Sequence, residues 1–207
     1  MILYFILFSV IAYLFGSIPS AVWIGKSFHN IDVREHGSKN AGATNTFRVL
    51  GKKAGIIVLL MDVLKGFIAV ILPVFFLKED QSNSLIQMQL LAGLAVFLGH
   101  LFPIFAQFKG GKGVATSLGI IVAIHPPAAG FCLAIFLVVF ISSQFVSLGA
   151  MSAALFFPIS VIFIFKEESI YQIVFSIVIG ITVIATHKKN IIRIINGVEN
   201  KMNLFKK

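Results

Sequence analysis

Charge is what this sequence has least of. Only 25 of its 207 residues are Asp, Glu, Lys or Arg, 12% of the chain, about half the share usual in a soluble domain. Hydrophobic residues make up 58%, so an ordinary water-soluble fold is excluded, and so is disorder. Acidic residues are scarcer than basic ones, 8 against 17, for a net charge of +9. One cysteine, Cys132, lies inside an apolar run; no disulfide within the chain and no cysteine metal site can form. No Lys or Arg precedes Lys26, so the basic start of a signal peptide is missing and residues 2–24 read as an uncleaved span. No internal repeat, direct or inverted, is visible, which removes the usual transporter signature. No cluster of His and carboxylates has metal-ligand spacing; no metal and no cofactor is expected.

What is present is apolar length. Seven stretches can be drawn, roughly 2–25, 54–77, 85–107, 114–125, 128–142, 145–165 and 170–186. The first three and last two are long enough to cross a bilayer. The run 114–165 is broken by Pro126-Pro127 and Ser142-Ser143. A proline pair ends helices, so three short helices are expected there. About 140 residues in spans leave no room for a soluble domain. The reading is one all-α, polytopic membrane bundle of about seven helices over 1–207.

The basic residues sort by loop. Lys26, Arg34, Lys39, Arg48, Lys52 and Lys53 lie between the first two stretches, and Lys109 and Lys112 between the third and fourth. Lys188, Lys189, Arg193, Lys201, Lys206 and Lys207 follow the last, so 14 of the 17 share one side. The opposite side has Lys78 and Lys166 beside Glu79, Asp80, Glu167 and Glu168. The positive-inside rule puts the N-terminus outside and the C-terminus in the cytoplasm, which requires an odd number of spans, seven or five. The positive charge in a membrane protein speaks for orientation and the anionic membrane surface rather than for nucleic acid.

Three polar segments fall on that basic side. The first is His36-Gly37-Ser38-Lys39-Asn40-Ala41-Gly42-Ala43-Thr44-Asn45-Thr46-Phe47-Arg48. Small residues let backbone amides approach an anion, Thr44 and Asn45 add side-chain donors, and Arg48 can grip a phosphate with two hydrogen bonds. It reads equally as a solvated turn with Thr44 or Asn45 as a helix N-cap. The second is Phe108-Lys109-Gly110-Gly111-Lys112-Gly113-Val114-Ala115-Thr116, two lysines among three glycines before an apolar helix. That favours an anion site over a tight turn, although the nucleotide P-loop spacing is absent. The third is Thr186-His187-Lys188-Lys189-Asn190-Ile191-Ile192-Arg193, where His187 and Asn190 share a helix face. It is a proton-transfer or anion-donating site, or a basic anchor leading into an interfacial helix. Within the spans, Asp62 and Lys65 are spaced for an i,i+3 pair, either functional or, the favoured reading, a pair that satisfies itself; Gly66 suggests close helix packing. His100 reads as a packed, hydrogen-bonded residue rather than one lining the site, and His125 as structural. The coincidence of the three segments on one face points to a pocket for one or two phosphates, beside a bundle that could admit an acyl chain.

At these residues the sequence resembles the bacterial membrane glycerol-3-phosphate acyltransferases that use acyl phosphate. The resemblance covers essentially the whole chain: the Gly16-Ser17-Ile18-Pro19 break, the 37–48 loop, Asp62-Val63-Leu64-Lys65-Gly66, Gly99-His100-Leu101-Phe102-Pro103, the 108–116 loop, and His187-x-x-Asn190-Ile191 with Glu199 beyond. It implies a seven-helix bundle in the bacterial cell (inner) membrane, with the site facing the cytoplasm. The implied reaction transfers a fatty acyl group from acyl phosphate to the 1-hydroxyl of glycerol 3-phosphate. The products are lysophosphatidate and inorganic phosphate, in the first step of phospholipid synthesis. The resemblance puts Ser38, Arg48, His187 and Asn190 in catalysis, with Lys109, Gly110, Gly111, Lys112 and Gly113 on phosphate and Glu199 as a structural acid. Cys132 is a poor nucleophile in an apolar span, so direct transfer without an acyl-enzyme is expected. None of the five histidines has Asp five positions on, which speaks against the thioester-using glycerolipid acyltransferases. The rival classes are a transporter of a phosphorylated anion, which needs a basic far side that is missing here, and an anchor that recruits partners through basic loops.

Overall fold

The computed structural model describes residues 1–76 and 82–202, with the side chains of 82 and 83 left aside. Lys78, Glu79, Asp80, Lys206 and Lys207 lie outside the described residues. The described residues are helical, without strands. They form α1 (Ile2–Gly16), α2 (Ser20–His29), α3 (Ala43–Leu50), α4 (Lys52–Ile71), α5 (Ser82–Leu101), α6 (Val114–Ile124), α7 (Pro126–Ser143), α8 (Val146–Ile159), α9 (Ile170–Thr186) and α10 (Lys188–Ile195).

Among the described residues, five segments are long and apolar enough to cross a membrane: Ile2–His29, Lys52–Phe75, Ser84–Ala106, Pro126–Ser143 and Val146–Ile164. A sixth candidate is α9 with α10, bent by 55°. The remaining stretch of the expected seven is α6, whose 11 residues rise only about 16 Å, short of a hydrocarbon core of roughly 30 Å. The run 114–165 does divide into three helices. Pro126 and Pro127 open α7, where a missing N–H costs nothing, and His125 Nδ1 accepts the Ala128 amide at 3.2 Å as its cap. Pro158 lies inside α8 and is followed by a wide turn, Ser160–Ile164, which accommodates the missing hydrogen bond.

The chain divides into two compact units, Met1–Ile124 and His125–Lys207. The first is organised around α4, which packs on α1, α2, α3, α5 and α6. α4 carries its charges inward and its leucines outward: Asp62 and Lys65 are buried, whereas Leu60 and Leu64 are half exposed. That inversion suits a helix bathed in lipid. Glycines set the contacts. A Cβ on Gly66 would run into the Thr116 carbonyl of α6, one on Gly119 into the Val63 carbonyl of α4, and one on Gly16 into the Val96 carbonyl of α5. Close packing at Gly66 is therefore as expected. The end of α1, the end of α5 and the start of α6 all meet α4 at one level, between Asp62 and Gly66. In the second unit α8 packs between α7 and α9, and α10 turns off the end of α9.

Candidate active site

The 37–48 loop is built around Asn45. Its side chain accepts the Ser38 amide at 2.8 Å and donates to the carbonyls of Val33 (2.7 Å) and His36 (3.1 Å). It is buried to 1% exposure, and a Cβ on Gly37, where φ is +59°, would meet its Oδ1 at 2.5 Å. Asn45 thus holds the loop in shape, and both its donors are spent there. The helix that follows is capped at Gly42 with no side-chain hydrogen bond, so neither Thr44 nor Asn45 is the N-cap: Asn45 has been drawn back to the loop carbonyls. Thr44 is half-buried in the first turn of α3, and Arg48, in its last turn, is exposed. Arg48 makes no ion pair among the described residues. Ser38 is partly exposed, its position fixed through its own amide.

The 108–113 loop lies against the first. Arg34 Nη1 donates to the Ala106 carbonyl at 3.0 Å while its Nε and Nη2 grip Asp32 at 3.0 and 2.7 Å. These hydrogen bonds hold the Asp32 carboxyl well below the usual carboxylate range, against the opposing effect of burial. A Cβ on Gly111 would crowd the Ala41 carbonyl as well as the His100 ring. The glycines are there for proximity. Gly110 and Gly111 donate their amides to the Leu101 and His100 carbonyls, both at 3.2 Å, and Lys109 donates its own to Ala106. These three amides are committed within the protein, which corrects the expectation that the whole glycine backbone faces a phosphate. Anion-binding capacity in this segment resides in the side chains of Lys109 and Lys112 and in the first turn of α6, whose leading amides have no intrahelical acceptor. Gly113, at φ +81°, turns the chain into that helix under the Phe97 ring.

Between the two loops and the break in the first span runs a narrow cleft, bordered by Ser20, Asp62, Lys65, His100, Gly110 and Gly111. Asp62 Oδ1 receives Ser20 Oγ at 2.9 Å and Lys65 Nζ at 2.8 Å, and Lys65 also donates to the Ile18 carbonyl at 3.0 Å. The i,i+3 pair forms as its spacing predicts. His100 is buried, but its Nδ1 stands 3.7 Å from Asp62 and has no hydrogen-bond partner among the described residues. It is not the satisfied core histidine that sequence reading expects.

The second unit carries the third segment. His187 is the corner between α9 and α10, buried, with Nδ1 2.7 Å from the Val183 carbonyl. A carbonyl can only accept, so Nδ1 carries a proton toward it. Asn190, also buried, donates to Glu199 Oε1 at 2.6 Å. Glu199 further accepts from Ser147 at 2.8 Å and from Arg193 Nε at 2.7 Å. Burial pushes the Glu199 carboxyl up, but the hydrogen bonds from Asn190, Ser147 and Arg193 outweigh it and hold it below its ordinary value. Glu199 is tied as a structural acid would be. The residues missed by sequence reading are Asp32 and Arg34, whose side chains couple the loops. Their signal was an acid and an arginine two apart in a glycine-rich connection, where Arg34 was counted only for topology.

All-helical, with apolar helices of spanning length and an inward-charged core, this fold is that of an integral membrane protein. A sequence model of glycerol-3-phosphate acyltransferases matches residues 6–197. The chain is 49% identical over 197 residues to the glycerol-3-phosphate acyltransferase of Listeria monocytogenes (strain EGD-e), covering 95% of this chain and 96% of that one. It is 46% identical to the enzyme of Fusobacterium nucleatum, covering 95% and 97%. Its structure resembles the crystal structure of PlsY (YgiH), an integral membrane glycerol 3-phosphate acyltransferase, in its glycerol 3-phosphate form. That match has a TM-score of 0.87 at 35% identity and covers 98% of this chain and 99% of that one. The lysophosphatidic acid form matches with a TM-score of 0.83 at 34% identity, covering 96% and 95%. The chain belongs to the glycerol-3-phosphate acyltransferase family, whose reaction is a step of phospholipid synthesis.

Proposed function

We propose that the chain transfers a fatty acyl group from acyl phosphate to the 1-hydroxyl of sn-glycerol 3-phosphate, directly and without an acyl-enzyme. It works in a bacterial cell (inner) membrane with its site toward the cytoplasm. The observation that carries the donor assignment is the presence of two cationic segments on adjoining loops, Arg48 on α3 and Lys109 with Lys112 on the glycine loop, tied together through Arg34 and the Ala106 carbonyl. Two phosphates suit two such segments. Glycerol 3-phosphate brings one; acyl phosphate brings the other at its reacting carbonyl, whereas a thioester of coenzyme A has none there. Direct transfer is supported by the place of Cys132, buried within α7.

The acceptor hydroxyl oxygen bonds to the acyl carbon, the bond to the phosphate oxygen breaks, and inorganic phosphate leaves. Lys109 and Lys112 stabilise that leaving charge, Arg48 holds the acceptor's phosphate, and Ser38 and Thr44 hydrogen-bond substrate oxygens. The hydroxyl proton passes to His187 Nε2 or to a phosphate oxygen of the donor. Asn190 hydrogen-bonds beside His187, held in place by Glu199. Asn45 serves through the loop it holds. Residues 1–207 are read as one acyltransferase, since the family match runs through both units, with membrane lipids as surroundings and no nucleic acid. The test is to supply purified protein with glycerol 3-phosphate and either palmitoyl phosphate or palmitoyl-CoA. Lysophosphatidate and stoichiometric phosphate are expected from the first alone. Product from the thioester alone, or a trapped serine ester, would overturn the reading.

A further inference from the structure

We propose that His100, seated on the buried Asp62–Lys65–Ser20 cluster, is a positioning residue that sets where the 108–113 loop stands for phosphate. The proposal rests on the phosphate role given to that loop above.

Three observations converge on His100. The Gly111 amide donates to its carbonyl at 3.2 Å, and the Gly110 amide to that of the next residue, Leu101. A Cβ on Gly111 would be driven into His100 Nε2, and one on Gly110 into the His100 carbonyl. The loop therefore lies directly on this residue, on both its backbone and its ring. On the other side of the ring stands Asp62, with Nδ1 3.7 Å from Oδ1. Asp62 is itself fixed by Ser20 and by Lys65, and Lys65 reaches the Ile18 carbonyl at the break between α1 and α2. The ring is thus a spacer between a fixed carboxylate and the glycine pair. The far end of the loop is held to the same helix: α6 begins at Val114 and locks onto α4 through Gly66 and Gly119. Both ends of the 108–113 segment are consequently referenced to α4, the front end through an imidazole edge. A buried Asp–Lys pair in a spanning helix is costly to retain, and the three partners it holds, Ser20, the Ile18 carbonyl and His100, give a physical reason for its presence.

The glycine contacts make the test specific. Gly111→Ala should raise the Michaelis constant for a phosphorylated substrate by about tenfold, in the range of couplings between contacting residues, with a much smaller change in kcat. His100→Asn keeps a polar group toward Asp62 and removes the Nε2 edge. Combined with Gly111→Ala it should bring that constant back toward the value of His100→Asn alone. Gly110→Ala, whose Cβ meets backbone, should gain nothing from His100→Asn. Thermal unfolding of each detergent-purified variant, and the same pairings made with His100→Ala, keep the comparison valid if one variant folds poorly. A Gly111→Ala defect unrelieved by either His100 substitution, or equal relief of Gly110→Ala and Gly111→Ala, overturns the positioning role. Lys112→Ala separates this from the underlying reading: if it leaves both substrates' Michaelis constants unchanged, the phosphate role of the loop fails, whatever the His100 pairings do.

Discussion

A single side chain can be read either as ligand or as scaffold, and Asn45 shows how geometry decides. Residue type and neighbourhood made it a candidate donor to substrate; three hydrogen bonds to its own loop assign it to the scaffold. Asn45→Ala strands a buried amide and two carbonyls, which costs about 1–3 kcal/mol for such groups. The expected outcome is a lowered unfolding temperature together with lowered activity. If the Michaelis constant for glycerol 3-phosphate rose in a variant of unchanged thermal stability, Asn45 would be a ligand after all. Ser38 and Arg48 differ in kind: among the described residues neither side chain has a structural bond that would account for it.

Among the elements, α10 is the one whose placement depends most on a single acid. Glu199 ties Asn190 and Arg193 of α10 to Ser147 of α8. Its carboxyl titrates below the ordinary value, so its contribution to stability is complete above about pH 4.3, the ordinary glutamate value, and is lost as pH falls through the lowered one. Glu199→Gln should lower the unfolding temperature and the activity at pH 7. The difference in unfolding temperature between it and the parent should narrow as pH falls below about 4 and close under the lowered value; a gap that does not shrink with falling pH would remove the ionic part of the role. Helix placement was legible in sequence because prolines, serine pairs and apolar runs are local signals. The three-way division at Pro126-Pro127 and Ser142-Ser143 followed from them. Less legible was anything created by two segments meeting. Glycines that look like a phosphate cradle are partly there because His100 and Phe97 leave no room for a Cβ, and no spacing rule reveals which carbonyl an amide will choose. The role of Asp32 and Arg34 was hard to see for the same reason, since Asp32 holds Arg34 and Arg34 reaches the carbonyl of Ala106, 72 residues away.

For the molecule as a whole, the uneven distribution of basic residues predicts an orientation that can be measured. With Cys132 replaced by Ser, a single cysteine at Lys53 should be shielded from a membrane-impermeant thiol reagent in intact cells. One at Lys166 should be labelled from outside. The reverse pattern would invert the topology and remove the case for a cytoplasmic site. The same asymmetry weighs against transport of an anion, because the far side carries Lys166 next to Glu167 and Glu168.

The convergence of α1, α5 and α6 on the middle of α4 fixes a depth. Asp62 stands ten residues along α4 from Lys52, about 15 Å at the helical rise, and the glycine pair rests at that level through His100. The loop with its lysines is therefore folded down inside the profile of the spanning helix instead of hovering above it, and α6 needs only to cross the remaining distance, which accounts for its 11 residues. For a reaction that joins a water-soluble alcohol to a lipid chain, the consequence concerns traffic. If the loop takes phosphate as proposed, the polar partner is drawn in below the Lys52 end of α4, and the fatty chain does not have to be lifted into water to meet it.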